Sequence, residues 1–240
     1  MIQVHQIRLA IGSNLHSYFR RIIVVAGLIA LIPAHAQEQP RWPDTFLARL
    51  EALALIQTLN TEILGSRSAT RSLENWCRDH QLAKEPKIVA HLITVNNKTP
   101  TEEQRQHLMI TSQDEVKYRN VQLRCGSYVL SEAENWYVPS RLTPEMNRLL
   151  ETTETPFGKV VESLGPYRQT FAVKQLWMPL PDGWERAPHK RPTKTRRELE
   201  IPDALFQHQA ILYTRAHQPF SEVSEIYQRQ ILAFPLPLSR

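Results

Sequence analysis

The order of the predicted elements favours an α+β domain built on a single antiparallel sheet of about six strands, with helices packed on one face. Three observations support this class. Two helical segments come first, the later strand-like segments follow one another through short turns, and residues 118–139 alternate with the period of two strands joined at Gly126 and Ser127. The sequence has no internal repeat and no low-complexity block, so a single domain is expected over 37–240.

Two helices open the predicted domain. Asp44 can cap a first helix that ends at Gly65, and because this helix is apolar over more than half of its surface, we expect it to pack between other elements. Ser68 or Thr70 can start a second helix over 71–81, which has an apolar side to bury.

Strand signals recur along the rest of the chain as β-branched and aromatic residues bounded by turn formers. The predicted strands cover 87–95, 117–125, 128–138, 167–177, 205–214 and 220–232. The polar segment 101–115 is expected only to connect two of them. Thr143 and Thr155 each precede a proline, and this combination predicts the starts of two short helices.

Residues 1–36 have the pattern of a secretory signal peptide. Arg20 and Arg21 precede a short apolar run, and residues 34–36 (Ala-His-Ala) form a small-x-small cleavage site. The run is shorter than the roughly 20 apolar residues that a spanning helix needs. The sequence therefore predicts a periplasmic or secreted protein without a stable membrane span after cleavage. An uncleaved N-terminal anchor is the alternative.

Charge and cysteine content narrow the functional classes. The 240-residue chain carries a net charge of +5, but residues 1–36 hold three basic residues and no acidic ones, so removing them leaves +2. We therefore expect no nucleic-acid partner. No CxxC motif occurs and no histidine lies at metal-ligand spacing, so no metal site is expected. Cys77 and Cys125 could pair in an exported protein, or remain two separate buried thiols.

Arg119 is the one charged residue on the apolar face of the strand predicted at 117–125. The period of a strand places it beside Val121, Leu123 and Cys125. A buried guanidinium is costly unless an anion or a hydrogen-bonded partner meets it, and its planar fork fits a carboxylate. Arg119 could therefore hold the carboxylate of a ligand. Alternatively, it lies at the strand's end, pairs with an internal glutamate, or extends to water.

The predicted helix start after Thr155 is a second candidate for anion binding. Gly158 leaves the backbone near Phe157 uncrowded, and the helix dipole favours a negative group there. The alternative is a tight turn between helices, in which Gly158 permits close packing.

Four short motifs occur in the order found in one known family. They are SATRSLE at 68–74, Arg119 followed by Cys-Gly at 125–126 and by Pro139, TPFG at 155–158, and SEIY at 224–227. Together they resemble the chorismate pyruvate-lyase (chorismate lyase) family over about residues 65–235. The spacing from Arg119 to Cys125 is longer by one residue than in that family, so a bulge is expected in this strand.

The resemblance implies a six-stranded antiparallel sheet, helices over a closed internal site, and elimination of pyruvate from chorismate to give 4-hydroxybenzoate without a cofactor. Arg119 and Glu225 would be the catalytic residues, with Arg119 binding a carboxylate and Glu225 facing the ether bond that breaks. Backbone N–H groups near two helix starts would complete the anion site. The implied substrate-binding residues are Ala69, Thr70, Phe157 and Gly158.

Several alternatives stay open at this point. Periodicity alone does not choose between Glu222 and Glu225 as the acid in the site. The same fold also serves as an effector-binding domain in some transcription regulators, so fold does not establish catalysis. The chain could be a lyase-like enzyme for a small aromatic or cyclic carboxylate, a periplasmic protein that binds such a ligand without reaction, or a structural envelope protein. A monomer is expected.

Overall fold

The computed structural model describes residues 41–93, 97–186 and 197–234. Residues 1–36, for which a signal peptide is predicted, lie outside the described residues. Within the described ranges, no helix combines the length and the apolar character needed to cross a bilayer.

Six antiparallel strands form one open sheet in the order β1-β2-β3-β6-β5-β4. They are β1 (Ile88–Leu92), β2 (Lys117–Cys125), β3 (Tyr128–Tyr137), β4 (Tyr167–Gln175), β5 (Ala204–Tyr213) and β6 (Pro219–Gln228). The α-helices of the described part are α1 (Phe46–Gly65), α2 (Ala69–Asp79), α3 (Glu102–His107), α4 (Pro144–Thr152) and α5 (Phe157–Val160). The predicted α+β class with a single antiparallel sheet is confirmed.

Alternating side chains give the sheet one apolar face, against which α1 and α2 pack. Along β2, every second residue from Arg119 to Cys125 is buried, and the residues between them are partly exposed. Ile56 and Leu59 of α1 and Leu73 of α2 are fully buried in the same core. Burial of each such side chain stabilises the fold by about 1.5–3 kcal/mol.

The first helix differs from the expectation in two respects. Thr45 caps it by accepting a hydrogen bond from the Ala48 N–H, whereas Asp44 pairs with Arg49. Only one side of α1 is buried, since Leu47 remains 55% exposed. The expectation that α1 packs between other elements is therefore wrong. Its even distribution of apolar residues concealed which side faces the sheet.

The segment 101–115, expected to be only a connection, contains α3. The hydroxyl of Thr101 accepts from the Gln104 N–H, and the Gln104 side chain accepts from the Thr101 N–H, which forms a capping box. Leu108 follows the helix and packs against Trp136 on the sheet face opposite α1 and α2. Because α3 itself buries no residue, the sequence showed no apolar periodicity there.

The helix starts that were predicted further along are partly right. Ser68 caps α2 and Thr143 caps α4, with Pro144 at the first position of α4. Thr155 does not cap α5. Its hydroxyl accepts a hydrogen bond from the hydroxyl of Thr153, and α5 has no side-chain cap.

The β2–β3 hairpin has a bulge, but not in the strand where spacing predicted it. Leu123 pairs with Ser131, whereas Arg124 pairs with Val129, so Leu130 of β3 is the extra residue. Strand β2 keeps its regular alternation up to the turn. Arg119 therefore stays on the buried face without any irregularity in its own strand.

Cys77 of α2 and Cys125 at the end of β2 form a disulfide, with Cα atoms 6.5 Å apart. The bond spans 48 residues of sequence. We expect the Cys77→Ala/Cys125→Ala variant to lose about 2–4 kcal/mol of unfolding free energy, because the cross-link restricts the unfolded chain. Urea denaturation measures this loss. Reduced wild type should match the double variant, and a difference below about 0.5 kcal/mol between oxidised and reduced protein would contradict the expectation.

Candidate functional site

A cavity of about 340 Å³ lies between the apolar face of the sheet and two segments that cross over it. The first segment is the α1–α2 connection with the start of α2, and the second runs from α5 to the start of β4. All six residues that the sequence predicted for a site line this cavity. They are Ala69, Thr70, Arg119, Phe157, Gly158 and Glu225.

Strand register explains which side chains form the floor. Cross-strand partners in a sheet point to the same face. One row across β2, β3 and β6 is Arg119, Asn135 and Val223, and the next is Val121, Ala133 and Glu225. Arg119 and Glu225 therefore lie two strands apart, or about 10 Å in the direction across the sheet. The cavity floor therefore has a charged side chain at each side, with the apolar side chains of Val121, Ala133 and Val223 between them.

Arg119 is buried, with 5% of its surface exposed, and no acidic residue in the described part of the chain pairs with it. Its Nη2 donates to the carbonyl oxygens of Thr153 at 3.3 Å and Thr155 at 3.1 Å. Its Nε is buried and meets no acceptor among the described residues. Burial lowers the pKa of Arg119. The alternative in which Arg119 pairs with an internal glutamate is therefore not what the structure shows.

Glu225, and not Glu222, faces the cavity. Glu225 Oε2 accepts hydrogen bonds from Arg168 Nη2 at 2.7 Å and from the hydroxyl of Tyr227 at 2.9 Å. Its other oxygen, Oε1, accepts none from the residues that the structure describes. Glu222 points to the opposite face of the sheet, where it contacts Nδ1 of His107 at 2.8 Å.

Arg168 is a cavity residue that sequence reasoning missed. Only 4% of its side chain is exposed, and its Nε is another buried donor without an acceptor in the described chain. Burial alone would lower the pKa of Arg168, but the carboxylate of Glu225 and the hydroxyl of Tyr227 more than offset this, so the pKa is raised. The available signal was a second arginine entering an apolar strand, in the sequence YRQTFAV.

His208 lies next to Glu225 across the β5–β6 ladder and is fully buried. Its Nε2 is 2.7 Å from Oδ1 of Asn60, and its Nδ1 has no partner within the described ranges. Burial lowers the pKa of His208 to about 4. The imidazole is therefore neutral near pH 7, and it donates from Nε2 to the amide oxygen.

The two crossing segments meet above the floor. A Cβ at Gly158 would lie 3.1 Å from the hydroxyl oxygens of both Ser68 and Thr70, so a side chain here would force these neighbours to shift, whereas glycine lets α5 approach α2 this closely. Arg71 and Glu162 form an exposed ion pair between the same two segments. Close packing is thus one reason for the glycine, in line with the alternative interpretation.

The two predicted sources of backbone donors differ in the structure. Ala69 and Thr70 occupy the first turn of α2, where N–H groups have no acceptor within the helix. Phe157 begins a helix of only four residues, and few aligned peptide dipoles contribute there. The start of α2 is the better donor group for an anion.

Solved structures with weak similarity to this chain include a transcription regulator and the effector domain of another. The effector domain of PhnF from Mycobacterium smegmatis aligns with 73% of this chain and 98% of its own, with 13% identity and a TM-score of 0.45. A GntR-family transcriptional regulator from Enterococcus faecalis V583 aligns with 63% and 99%, with 11% identity and a TM-score of 0.39. At this level the similarity concerns the fold only.

Comparison of sequences gives a nearer relative. No protein-family model matches the chain. The uncharacterized protein y4mC of Sinorhizobium fredii (strain NBRC 101917 / NGR234) is 41% identical in an alignment over 229 residues that covers 92% of this chain and 96% of that protein. Because the identity extends over nearly the full length of both, this chain belongs to the family of y4mC.

Proposed function

We propose that the cavity binds a small aromatic or cyclic carboxylate and that Arg119 contacts the carboxylate group. The observation that carries this proposal is a buried guanidinium in the wall of a cavity, without an acidic partner among the residues that the structure describes. A buried charge left uncompensated destabilises a fold. Binding of a ligand anion explains why the guanidinium of Arg119 is nevertheless buried.

The rest of the cavity fits such a ligand. Its volume of about 340 Å³ lies within the roughly 300–1,000 Å³ that is usual for small-molecule pockets. Val121, Ala133 and Val223 offer an apolar floor for a ring. Glu225 Oε1, which has no described protein donor, can accept from a hydroxyl at the far end of the ring.

Lyase activity on chorismate is the second candidate, favoured by the placement of Glu225 in the same cavity as Arg119. The proposed elimination balances without a cofactor. The bond between the ring and the ether oxygen breaks, the ring loses a proton and becomes aromatic, and the enolpyruvyl group gains a proton and leaves as pyruvate. Glu225 would act at the ether side of the substrate.

We also propose that the protein works outside the cytoplasm. The signal-like segment 1–36 supports this, and so does the Cys77–Cys125 disulfide, since disulfides persist in oxidising compartments. A ligand encountered there need not be chorismate, so carboxylate binding is the broader proposal and elimination the narrower one.

Calorimetric titration with 4-hydroxybenzoate tests the binding proposal. We expect saturable binding of 4-hydroxybenzoate and no detectable binding of 4-methylphenol, which keeps the ring and hydroxyl but lacks the carboxylate. Failure of 4-hydroxybenzoate, benzoate and cyclohexanecarboxylate to bind would overturn the proposal. Incubation with chorismate, followed by chromatography for 4-hydroxybenzoate, separates the candidates, because binding without product formation excludes lyase activity on this substrate.

A further inference from the structure

We propose that Asn135 supplies a second hydrogen-bond donor to the ligand carboxylate, beside Arg119, and that Ser221 positions it. This inference rests on the proposed function, since it concerns the recognition of the same carboxylate. It assigns a specificity-determining role to a neutral side chain that the sequence analysis did not single out.

Arg119 alone cannot offer a complete fork in the observed structure. A guanidinium presents two parallel pairs of donors to a carboxylate, and Nη2 belongs to both pairs. Nη2 of Arg119 already donates to the carbonyl oxygens of Thr153 and Thr155. The remaining donors, on Nε and Nη1, do not form such a pair. A carboxylate that receives one bond from Arg119 therefore needs another donor for its second oxygen.

Asn135 is in the right place to provide that donor. It is the cross-strand partner of Arg119 in the β2–β3 ladder and lines the same cavity, with 5% of its surface exposed. Cross-strand partners lie about 5 Å apart at Cβ, so both side chains can reach one carboxylate. No residue that the structure describes accepts from the Asn135 amide nitrogen.

Ser221 sets the orientation of that amide. The hydroxyl of Ser221, which is fully buried, donates to Asn135 Oδ1 at 2.5 Å. With its oxygen held in this way, the amide directs its Nδ2 donors away from Ser221. Nδ2 and the unpaired donors of Arg119 then form a site that combines positive charge with hydrogen-bond donors, which matches a carboxylate.

The first experiment removes the amide while keeping its shape. We expect Asn135→Leu to weaken 4-hydroxybenzoate binding by roughly 10- to 100-fold, the value of one hydrogen bond to a charged group. Asn120→Leu is the matched control. Asn120 directly follows Arg119 in β2, so its side chain faces the opposite side of the sheet from Arg119 and Asn135. The affinity of this control variant should equal that of wild type.

The second experiment reverses the preference of the site. Asn135→Asp places a carboxylate beside Arg119 that accepts hydrogen bonds and repels an anion. We expect this variant to lose 4-hydroxybenzoate binding by more than about 100-fold and to bind 4-hydroxybenzamide better than wild type does. The gain for the amide shows that the variant is folded. Ser221→Ala should reduce the ratio of the affinity for 4-hydroxybenzoate to the affinity for 4-hydroxybenzamide, without abolishing the binding of either compound.

The outcomes separate this inference from the proposed function. If wild type binds no aromatic or cyclic carboxylate, the proposed function fails and the inference fails with it. If wild type binds 4-hydroxybenzoate and Asn135→Leu binds it equally well, the inference alone is overturned. Retention of the wild-type preference by Asn135→Asp would overturn it as well.

Discussion

Arg119→Met should weaken carboxylate binding by about 2–5 kcal/mol, at least roughly 30-fold in affinity, while leaving the empty protein as stable as wild type. The affinity falls because the cavity loses the cation that meets the ligand's charge. Stability is retained because Arg119 is buried without an acidic partner from the described ranges. Its removal therefore relieves an uncompensated charge, which offsets the two hydrogen bonds lost to carbonyl groups. Calorimetric titration and urea denaturation measure the two quantities.

The same strand offers a matched control for this variant. Arg124 lies on the outward face of β2, where it contacts Gln122. Arg124→Met should leave both affinity and stability near wild-type values. If Arg119→Met binds the ligand within about threefold of wild type, or loses more than about 2 kcal/mol of stability, Arg119 is a structural residue and not a ligand contact.

Arg168→Met, in contrast to Arg119→Met, should destabilise the empty protein by about 3–5 kcal/mol, because it leaves the buried carboxylate of Glu225 without its cation. The side chains of Arg168 and Glu225 are 4% and 7% exposed, so little solvent compensates. The Arg168→Met/Glu225→Gln variant should recover most of the loss, since the glutamine carries no charge. Urea denaturation of the set gives the coupling free energy of the pair.

An exposed ion pair in the same protein supplies the comparison for Arg168. Arg148 and Glu145 contact each other on α4 with side chains that are 58% and 62% exposed. Arg148→Met should cause only a small loss of stability, because solvent screens such pairs. A loss of similar size for Arg168→Met, or the absence of coupling with Glu225, would show that burial of this pair does not matter for folding.

The sheet and the helix starts at Ser68 and Thr143 could be predicted because they depend on local sequence. The alternation of β2, the Gly-Ser hairpin and the Thr143-Pro144 helix start each leave a pattern within a few residues. α3 left no apolar periodicity, since it buries no side chain of its own, and only the Thr101–Gln104 capping box marked its start. The disulfide was left open for a different reason, since two distant cysteines do not reveal whether their Cα atoms come close.

The candidate site was predictable where a residue was unusual for its position. Arg119 stood out as a charge on an apolar strand face, and the family resemblance pointed to Glu225. Asn135 and His208 did not stand out, because a polar residue in a strand is commonplace until the register shows what it faces. The choice between Glu222 and Glu225 likewise required the pairing of β6 with β3.

The disulfide joins α2, whose start lines the cavity, to the strand that carries Arg119. Cys77, near the C-terminal end of α2, is bonded to Cys125 at the end of β2, so a covalent bond fixes this helix against the strand that forms part of the cavity floor. The second segment that crosses the cavity, from α5 to β4, contains no cysteine. It reaches its strand through Gly165, whose backbone is left-handed. We therefore expect ligand entry to displace this second segment more than α2, because α2 carries the covalent cross-link to the sheet.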